Sequence, residues 1–230
     1  MTGSLQRRAA AEALGTAALV AVVVGSGIQA AELSQDVGVQ LLANSLATVL
    51  GLGVLIVLFG PVSGAHFNPV VTLAAWFVNR PPLAEVGAYV AAQTAGAIGG
   101  AVVANAMFAE PLVAWSTHHR DAGNLLLGEV VATAGLVALI FGLLRSGKDH
   151  LAPMAVAAFI GSAYWFTSST SFANPAVTIG RAFTDTFAGI APSSVAPFIA
   201  AQVLGGVVGL VLVAVVFSSP VPLRSKEKTP

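Results

Sequence analysis

The sequence has no cysteine and very few charged residues. Without thiols, the chain has no disulfides, no thiolate metal sites and no cysteine nucleophile, so redox chemistry does not indicate a compartment. Only 9% of the 230 residues are charged, whereas a soluble domain has roughly 25%. Acidic and basic residues number 10 each, so the formal net charge is zero and no nucleic-acid partner is indicated. Charge is therefore too scarce for an ordinary soluble domain.

Long apolar stretches make up much of the chain, which is 56% hydrophobic. A helix needs about 20 residues to cross a hydrocarbon core of ~30 Å. We therefore predict an all-α membrane protein with six spanning helices, at residues 9–29, 38–59, 83–108, 124–144, 151–167 and 194–217. The apolar run after Arg7 and Arg8 is long enough to span, so we interpret it as the first helix rather than a signal peptide.

Two shorter apolar segments, 68–79 and 174–186, each begin with an Asn-Pro pair. Asn is a favoured N-cap, and Pro is favoured at the first helical position, so both pairs predict helix starts. At ~1.5 Å per residue, each segment reaches only about half way across the membrane. Backbone groups at that depth must be buried in protein or line a wet cavity. The two half-helices therefore predict one shared cavity.

The two halves of the chain resemble each other. Glu12 and Glu129 lie in similar motifs, as do Gln93 and Gln202, and one Asn-Pro pair follows each Glu motif. Because each half has three spans, the second copy enters from the opposite side of the membrane, which gives an inverted repeat. The half-helices then meet near the midplane by their N-termini. We expect one membrane domain over residues 1–230, with repeats at about 9–108 and 124–217 and a tail at 218–230.

The basic residues indicate the orientation. If the N-terminus is cytoplasmic, eight Lys and Arg residues lie inside, and only Arg120 and Arg181 lie outside. This distribution follows the positive-inside rule, so we predict that both termini are cytoplasmic. The first half-helix then lies on the cytoplasmic side and the second on the external side. The polar tail, 218–230, is predicted to be disordered.

Two facing helix N-termini repel cations at the midplane, because each carries roughly half a positive charge. The side-chain amides of Asn68 and Asn174 add hydrogen-bond donors at the same point. Water and small hydroxyl compounds can accept these bonds in exchange for their lost hydration. The pattern therefore favours a passage for small neutral solutes that excludes protons.

The chain resembles the aquaporin and aquaglyceroporin family from about Glu12 to Phe217. The motifs that carry this resemblance are Asn68-Pro69-Val70, Asn174-Pro175-Ala176, the lead-in Ser63-Gly64-Ala65-His66, the acids Glu12 and Glu129, and Gln93 and Gln202. The resemblance implies six tilted helices and two half-helices around each pore, in a homotetramer embedded in lipid. No cofactor, metal site or enzymatic activity is expected.

Matching motif positions imply roles for individual residues. Asn68 and Asn174 become the pore asparagines, and His66 lies beside the cytoplasmic half of the pore. Glu12 and Glu129 become buried acids that hold the loops before the half-helices. An acid within a span can instead mark a proton relay; we favour the structural role.

The sequence departs from the family pattern directly after the second box. Most members have Arg there, at the outer constriction, whereas this chain has Val177. Thr48 and Ser171 match two other constriction positions, and the fourth matches either Tyr164 or Ser162, with Tyr164 favoured. Without the guanidinium, the filter is predicted to be wider and less positive.

Arg181 lies four residues after Val177, on the same face of the half-helix and one turn, ~6 Å, further outward. We hypothesise that it places positive charge in the external vestibule. The alternative is an interfacial arginine that reaches lipid headgroups or pairs with Asp185. The segment 118–121, His-His-Arg-Asp, is interpreted as a solvated turn.

The boxes resemble those of a bacterial subgroup often associated with arsenic-resistance genes. This implies a passive channel in the bacterial inner membrane for glycerol-like polyols, metalloid hydroxides such as arsenous acid, and water. The alternative is an alternating-access secondary transporter, which also uses inverted repeats and broken helices. It is disfavoured because no acid or cation-ligand cluster lies near the boxes to couple a driving ion. An intramembrane enzyme is disfavoured because the Ser/Thr run 167–171 has no His or Asp nearby in sequence.

Overall fold

Helices form the regular structure of the chain. The computed structural model describes residues 3–217, and no strand occurs in that range. The predicted tail at 218–230 lies outside the described residues. The helices are α1 (Leu5–Leu33), α2 (Val37–Ser63), α3 (Pro69–Asn79), α4 (Leu83–Met107), α5 (Gly123–Arg145), α6 (Ala152–Phe166), α7 (Pro175–Arg181) and α8 (Pro192–Val216), with a 3₁₀ turn at Asp149–Leu151.

The six predicted spans all correspond to helices. Within residues 3–217, five helices (α1, α2, α4, α5 and α8) are long and apolar enough to cross a membrane. The sixth span combines α6, which has 15 residues, with the 3₁₀ turn directly before it. The first helix begins earlier than predicted because Ser4 caps it, its side chain accepting a hydrogen bond from the Arg7 backbone N–H. The predicted fold class is confirmed.

Both half-helices begin where the Asn-Pro pairs predict. Asn68 caps α3, and Asn174 caps α7. However, α7 ends at Arg181 rather than at residue 186. The chain reverses there: Phe183 N–H bonds to Gly180 in a tighter turn, and the returning Ile190 N–H donates to the Arg181 carbonyl at 3.3 Å. This tertiary contact leaves no place for a further helical turn.

The halves pack in equivalent ways, with α1 against α4 and α5 against α8. Each pair includes two glycines, one turn apart, where a Cβ atom would overlap a carbonyl group of the facing helix. Small residues of this kind allow membrane helices to approach closely. The contacts join Gly96 to Ala13, Gly100 to Ala17, Gly205 to Val130, and Gly209 to Ala134. The repeat seen in sequence is therefore also a structural repeat, in inverted orientation.

The outer faces of α2 and α8 carry large exposed apolar side chains. Leu46, Leu50 and Val54 follow one another along α2, and Val207 and Val211 do so along α8, all more than half exposed. Their spacing of four residues places each set on one face of its helix. Such faces suit contact with lipid or with another apolar surface.

Candidate permeation pathway

The loops before α3 and α7 have the same unusual backbone. Ala65 and Phe67 both have φ of 49°, and Ser171 and Ala173 have φ of 52° and 47°. This left-handed region costs a residue other than glycine on the order of 1 kcal/mol or more, so surrounding contacts must maintain it.

Glu12 holds the first loop. Its Oε1 accepts hydrogen bonds from Ser63 Oγ at 2.6 Å and from the His66 backbone N–H at 3.0 Å. Its Oε2 accepts from the Phe67 backbone N–H at 2.7 Å and from Gln93 Nε2 at 2.8 Å. The carboxylate is fully buried, and these four donors compensate for its desolvation.

Glu129 holds the second loop in the same manner. It accepts from the backbone N–H groups of Phe172 and Ala173, both at 2.8 Å, and from Gln202 Nε2 at 2.6 Å. It too is fully buried. Both acids thus lie where they can act as acceptors for loop backbone, and their oxygens are turned away from the cavity described below.

The two asparagine caps satisfy the first N–H groups of the half-helices. Asn68 Oδ1 accepts from the Val70 N–H at 2.9 Å. Asn174 Oδ1 accepts from the Ala176 and Val177 N–H groups at 3.0 and 3.3 Å. The caps use the amide oxygens, so the amide nitrogens remain available for other contacts.

The amide nitrogens join the two halves reciprocally. Asn68 Nδ2 donates to the Ala173 carbonyl, and Asn174 Nδ2 donates to the Phe67 carbonyl, both at 2.7 Å. A primary amide has two N–H donors, so each asparagine retains one. Both side chains border the same cavity. The midplane therefore offers two fixed donors beside two helix N-termini.

One cavity of about 790 Å³ is lined by residues of both half-helices and of the helices around them. Its walls are mainly apolar side chains of α2, α5 and α6, with polar groups at intervals. From one end to the other, its polar lining includes Arg181, Ser171, Asn174, Asn68, His66, His150 and Asp149. The cavity thus borders both asparagines and extends from the end of α7 to the turn before α6.

Thr48 and Tyr164 both border the cavity and contact each other. The Thr48 hydroxyl donates to the Asn44 carbonyl at 2.8 Å, so the Tyr164 hydroxyl, 3.3 Å away, donates to Thr48. Ser162 is exposed, does not border the cavity, and donates to Phe159. The structure therefore places Tyr164, and not Ser162, against the cavity.

Ser171, in the loop before α7, and Val177, in α7, both contribute to the lining. The Ser171 Oγ is buried and has no hydrogen-bond partner within residues 3–217. Val177 is 5% exposed and borders the same cavity. The cavity is thus bordered here by a free hydroxyl and an apolar side chain, with no guanidinium at the position after the second box.

Arg181 lies beyond Val177 and is held by two contacts. Its Nε donates to the Ala188 carbonyl, and its guanidinium carbon lies 3.4 Å from the centroid of the Phe172 ring. The side chain borders the cavity although it is only 3% exposed. The alternative pairing with Asp185 is wrong, because Asp185 accepts from the backbone and side chain of Thr117.

The Asp185 carboxylate lies in the loop after α7. The Thr117 backbone N–H donates to it at 2.8 Å and lowers its pKa below the ordinary 3.8. Asp185 is thus anionic at neutral pH and already satisfied by the facing loop.

Arg120 was not recognised from the sequence. Its Nε donates to the Gly189 carbonyl at 3.0 Å, and its guanidinium carbon lies 5.1 Å from the Phe172 centroid. Burial lowers the pKa of this arginine. The predicted solvated turn is therefore wrong at Arg120, although His118 and His119 are exposed. Only the folding of distant loops onto each other reveals the contact.

His66 lies in the wall of the opposite half of the cavity. Its Nδ1 is 3.1 Å from Thr72 Oγ1, and its ring packs edge-on against Tyr89 with centroids 5.5 Å apart. Thr72 Oγ1 also accepts from Gln93 Nε2 at 2.9 Å. Among the described residues, no group of three or more His, Asp or Glu side chains could hold a metal ion.

The chain is similar to one protein-family model and to individual proteins of known description. The family model described as "Major intrinsic protein" matches residues 2–173. The chain is 48% identical to the aquaglyceroporin AqpS of Rhizobium meliloti (strain 1021), over 90% of this chain and 89% of that protein. It is 29% identical to the propanediol uptake facilitator PduF of Salmonella typhimurium, over 68% of this chain and 69% of that protein.

The chain is also similar to a plant aquaporin and to a solved structure. The chain is 31% identical to aquaporin NIP1-1 of Oryza sativa subsp. japonica, over 90% of this chain and 74% of that protein. The solved structure of the aquaglyceroporin from Plasmodium falciparum superimposes with a TM-score of 0.69, covering 91% of this chain and 96% of that one. At 22% identity, this likeness shows the fold alone.

Proposed function

This chain belongs to the major intrinsic protein family and is a passive membrane channel, and we propose that it conducts glycerol-like polyols, metalloid hydroxides such as arsenous acid, and water. The observation that carries the proposal is the single cavity past Asn68 and Asn174. Facing helix N-termini and fixed amide donors favour neutral oxygen-bearing solutes and oppose cations. The protein family has a transport role, not an enzymatic one.

The filter supports solutes larger than water. Thr48, Tyr164, Ser171 and Val177 border the cavity without an arginine after the second box. They offer three hydroxyl groups and one apolar side chain, which suits a small molecule with several hydroxyls on a compact body. Arsenous acid and glycerol both have three hydroxyls and are uncharged near neutral pH. The relatives' names, aquaglyceroporin and propanediol uptake facilitator, point to the same solute class.

The remaining parts of the proposal concern the assembly. We propose one channel domain per chain, a homotetramer, and a location in the bacterial inner membrane with both termini cytoplasmic. The excess of basic residues in the predicted inside segments supports this orientation. Exposed apolar faces on α2 and α8 are compatible with lipid or subunit contact. In this orientation, Arg181 lies at the external end of the pore and His66 in its cytoplasmic half.

Val177→Arg tests the filter. We expect glycerol and arsenous acid flux to fall at least tenfold, with water flux reduced less, because the guanidinium narrows the path and adds charge. The measurement is stopped-flow light scattering of proteoliposomes, with direct arsenic quantification. Val177→Met is the matched control, since it adds length without charge. Equal solute flux in wild type and Val177→Arg would remove this residue from the filter.

The same assay separates the channel from a secondary transporter. A passive channel gives flux that follows the solute gradient and does not change when sodium and proton gradients are removed. Solute accumulation against its gradient, driven by either ion, would contradict the channel mechanism.

A further inference from the structure

The outer end of the cavity contains an arginine whose hydrogen-bonding capacity is only partly used. We propose that Arg181, with Arg120 behind it, forms a binding subsite for a small monovalent oxyanion just outside the filter. The fitting ligand presents two oxygens in a fork, as a carboxylate or sulfonate group does. The location at the external side rests on the orientation proposed above, whereas the binding chemistry does not.

The first argument is the fixed position of the Arg181 side chain. Nε is used by the Ala188 carbonyl, and one face of the guanidinium lies on the Phe172 ring. The two Nη groups have no hydrogen-bond partner in the part of the chain that the structure describes, and the residue borders the cavity. A guanidinium held in this way presents a planar pair of donors that matches two oxygens of one ligand.

The second argument is charge. Arg120 brings a second guanidinium to the same aromatic ring, so two positive charges lie close together. Asp185, the acid of the adjoining loop, is bound to Thr117. Glu129 is a buried acid that accepts from the backbone of Phe172, the ring that both arginines contact. Its oxygens are occupied by loop N–H groups and Gln202. Both carboxylates therefore have donors other than Arg181, and of the two arginines Arg181 is the one that borders the cavity.

The third argument is the neighbouring hydroxyl. Ser171 Oγ is buried, borders the same cavity, and has no partner within residues 3–217. Further inward lies Val177, which offers no hydrogen bond. A buried charge without a partner is costly, so an anion bound at Arg181 lowers that cost. While bound, it occupies the path that a neutral solute must take.

The test uses methanesulfonate, a non-permeant oxyanion, and dimethyl sulfone, a neutral molecule of similar shape. Both are present on both sides of proteoliposomes, with chloride added to equalise ionic strength, and glycerol-driven swelling is measured. We expect methanesulfonate to slow swelling in a saturable manner, half-maximally at about 1–10 mM, a range typical of weak small-ligand binding. Dimethyl sulfone should have little effect at the same concentrations.

Variants assign the effect to residues. Arg181→Gln should raise the half-maximal concentration at least tenfold, and Arg120→Gln about threefold because that charge acts at a distance. Arg181→Lys keeps the charge but loses the fork, so it should bind methanesulfonate with intermediate affinity. Arg145→Gln is the control: Arg145 donates to the Phe217 carbonyl at the end of α8, away from this cavity, and inhibition should equal that of wild type.

A second measurement does not depend on flux. Methanesulfonate should raise the thermal unfolding midpoint of the detergent-solubilised wild type, but not of Arg181→Gln, because a ligand stabilises the state that binds it. If methanesulfonate and dimethyl sulfone act equally on wild type, or if Arg181→Gln responds as wild type does, the subsite is overturned. Absence of glycerol flux without any anion would instead contradict the proposed function, and the thermal shift would still decide on the subsite.

Discussion

The loops and half-helices of the two repeats, residues 63–79 and 169–181, share a backbone frame but differ in the side chains that face the cavity. In each, three residues adopt positive φ, a buried acid accepts from the loop, and an asparagine caps the half-helix. Val71 and Val177 occupy the same position after the box. The repeat thus reproduces the helix starts and donors at the midplane.

The two ends of the pathway differ at single positions. His66 corresponds to Phe172, and Ala75 corresponds to Arg181. At one end, an imidazole contacts Thr72; at the other, a phenyl ring supports a guanidinium. A duplicated backbone can therefore have chemically distinct ends, because each end depends on a few side chains that the frame does not determine.

The largest expected effect is a loss of stability when Glu12 or Glu129, the acids that hold the two loops, is replaced. Glu12 has four donors and Glu129 three, so Glu12→Gln should lose more stability than Glu129→Gln. Replacing a carboxylate oxygen by an NH₂ group leaves buried donors unpaired, which costs about 3 kcal/mol or more. Thermal unfolding midpoints and monodispersity in detergent measure the loss.

The exposed Glu32 supplies a control, since Glu32→Gln should leave the unfolding midpoint unchanged. If both buried variants unfolded at the wild-type midpoint, the two acids would not hold the loops. Equal losses in the two variants would mean that the extra Ser63 contact contributes nothing.

The second effect concerns the difference between His66 and Phe172. His66→Phe makes the first loop resemble the second and removes a polar group from the cavity wall. We expect glycerol flux to fall about tenfold, which corresponds to the loss of roughly one hydrogen bond, ~1.4 kcal/mol. Proteoliposome swelling measures it, and His66→Gln, which remains polar, should lose less. Unchanged glycerol flux in His66→Phe would show that the imidazole does not contact the solute.

The smallest expected effect concerns Thr72 and Thr178, the equivalent threonines of the two half-helices. Thr72→Val and Thr178→Val each remove an acceptor for a buried glutamine amide, so both should lower the unfolding midpoint slightly, by about 1–2 kcal/mol in stability. Only Thr72 also contacts His66. Thr72→Val should therefore lower glycerol flux about threefold, a flux ratio that corresponds to well under one hydrogen bond, while Thr178→Val leaves it unchanged. Equal glycerol flux in the two variants would show that Thr72 does not position His66 for solute passage.

Much of this frame could be predicted from the sequence because it depends on local patterns. Apolar run length gave the spans, and Asn-Pro pairs gave the half-helix starts at Asn68 and Asn174. The repeated Glu and Gln motifs indicated an inverted repeat before any contact was known. These features follow from helix capping and membrane thickness, which act over a few residues.

The end of the cavity at Arg181 could not be predicted in the same way. The end of α7 at Arg181 depends on Ile190 returning to its carbonyl, and the position of Arg120 depends on Gly189 and Phe172. The choice between Tyr164 and Ser162 requires the rotational phase of α6, which the sequence alone does not define. Each of these outcomes depends on contacts between segments that lie far apart along the chain.

The reciprocal hydrogen bonds between Asn68 and Ala173, and between Asn174 and Phe67, have a consequence for biogenesis. During synthesis, the first repeat enters the membrane before its partner exists, and its half-helix then has neither the opposing carbonyl nor the opposing N-terminus. The midplane joint forms only when the second repeat has been inserted. Insertion of the second half-helix is therefore the step that completes the joint, and an isolated repeat has only half of it.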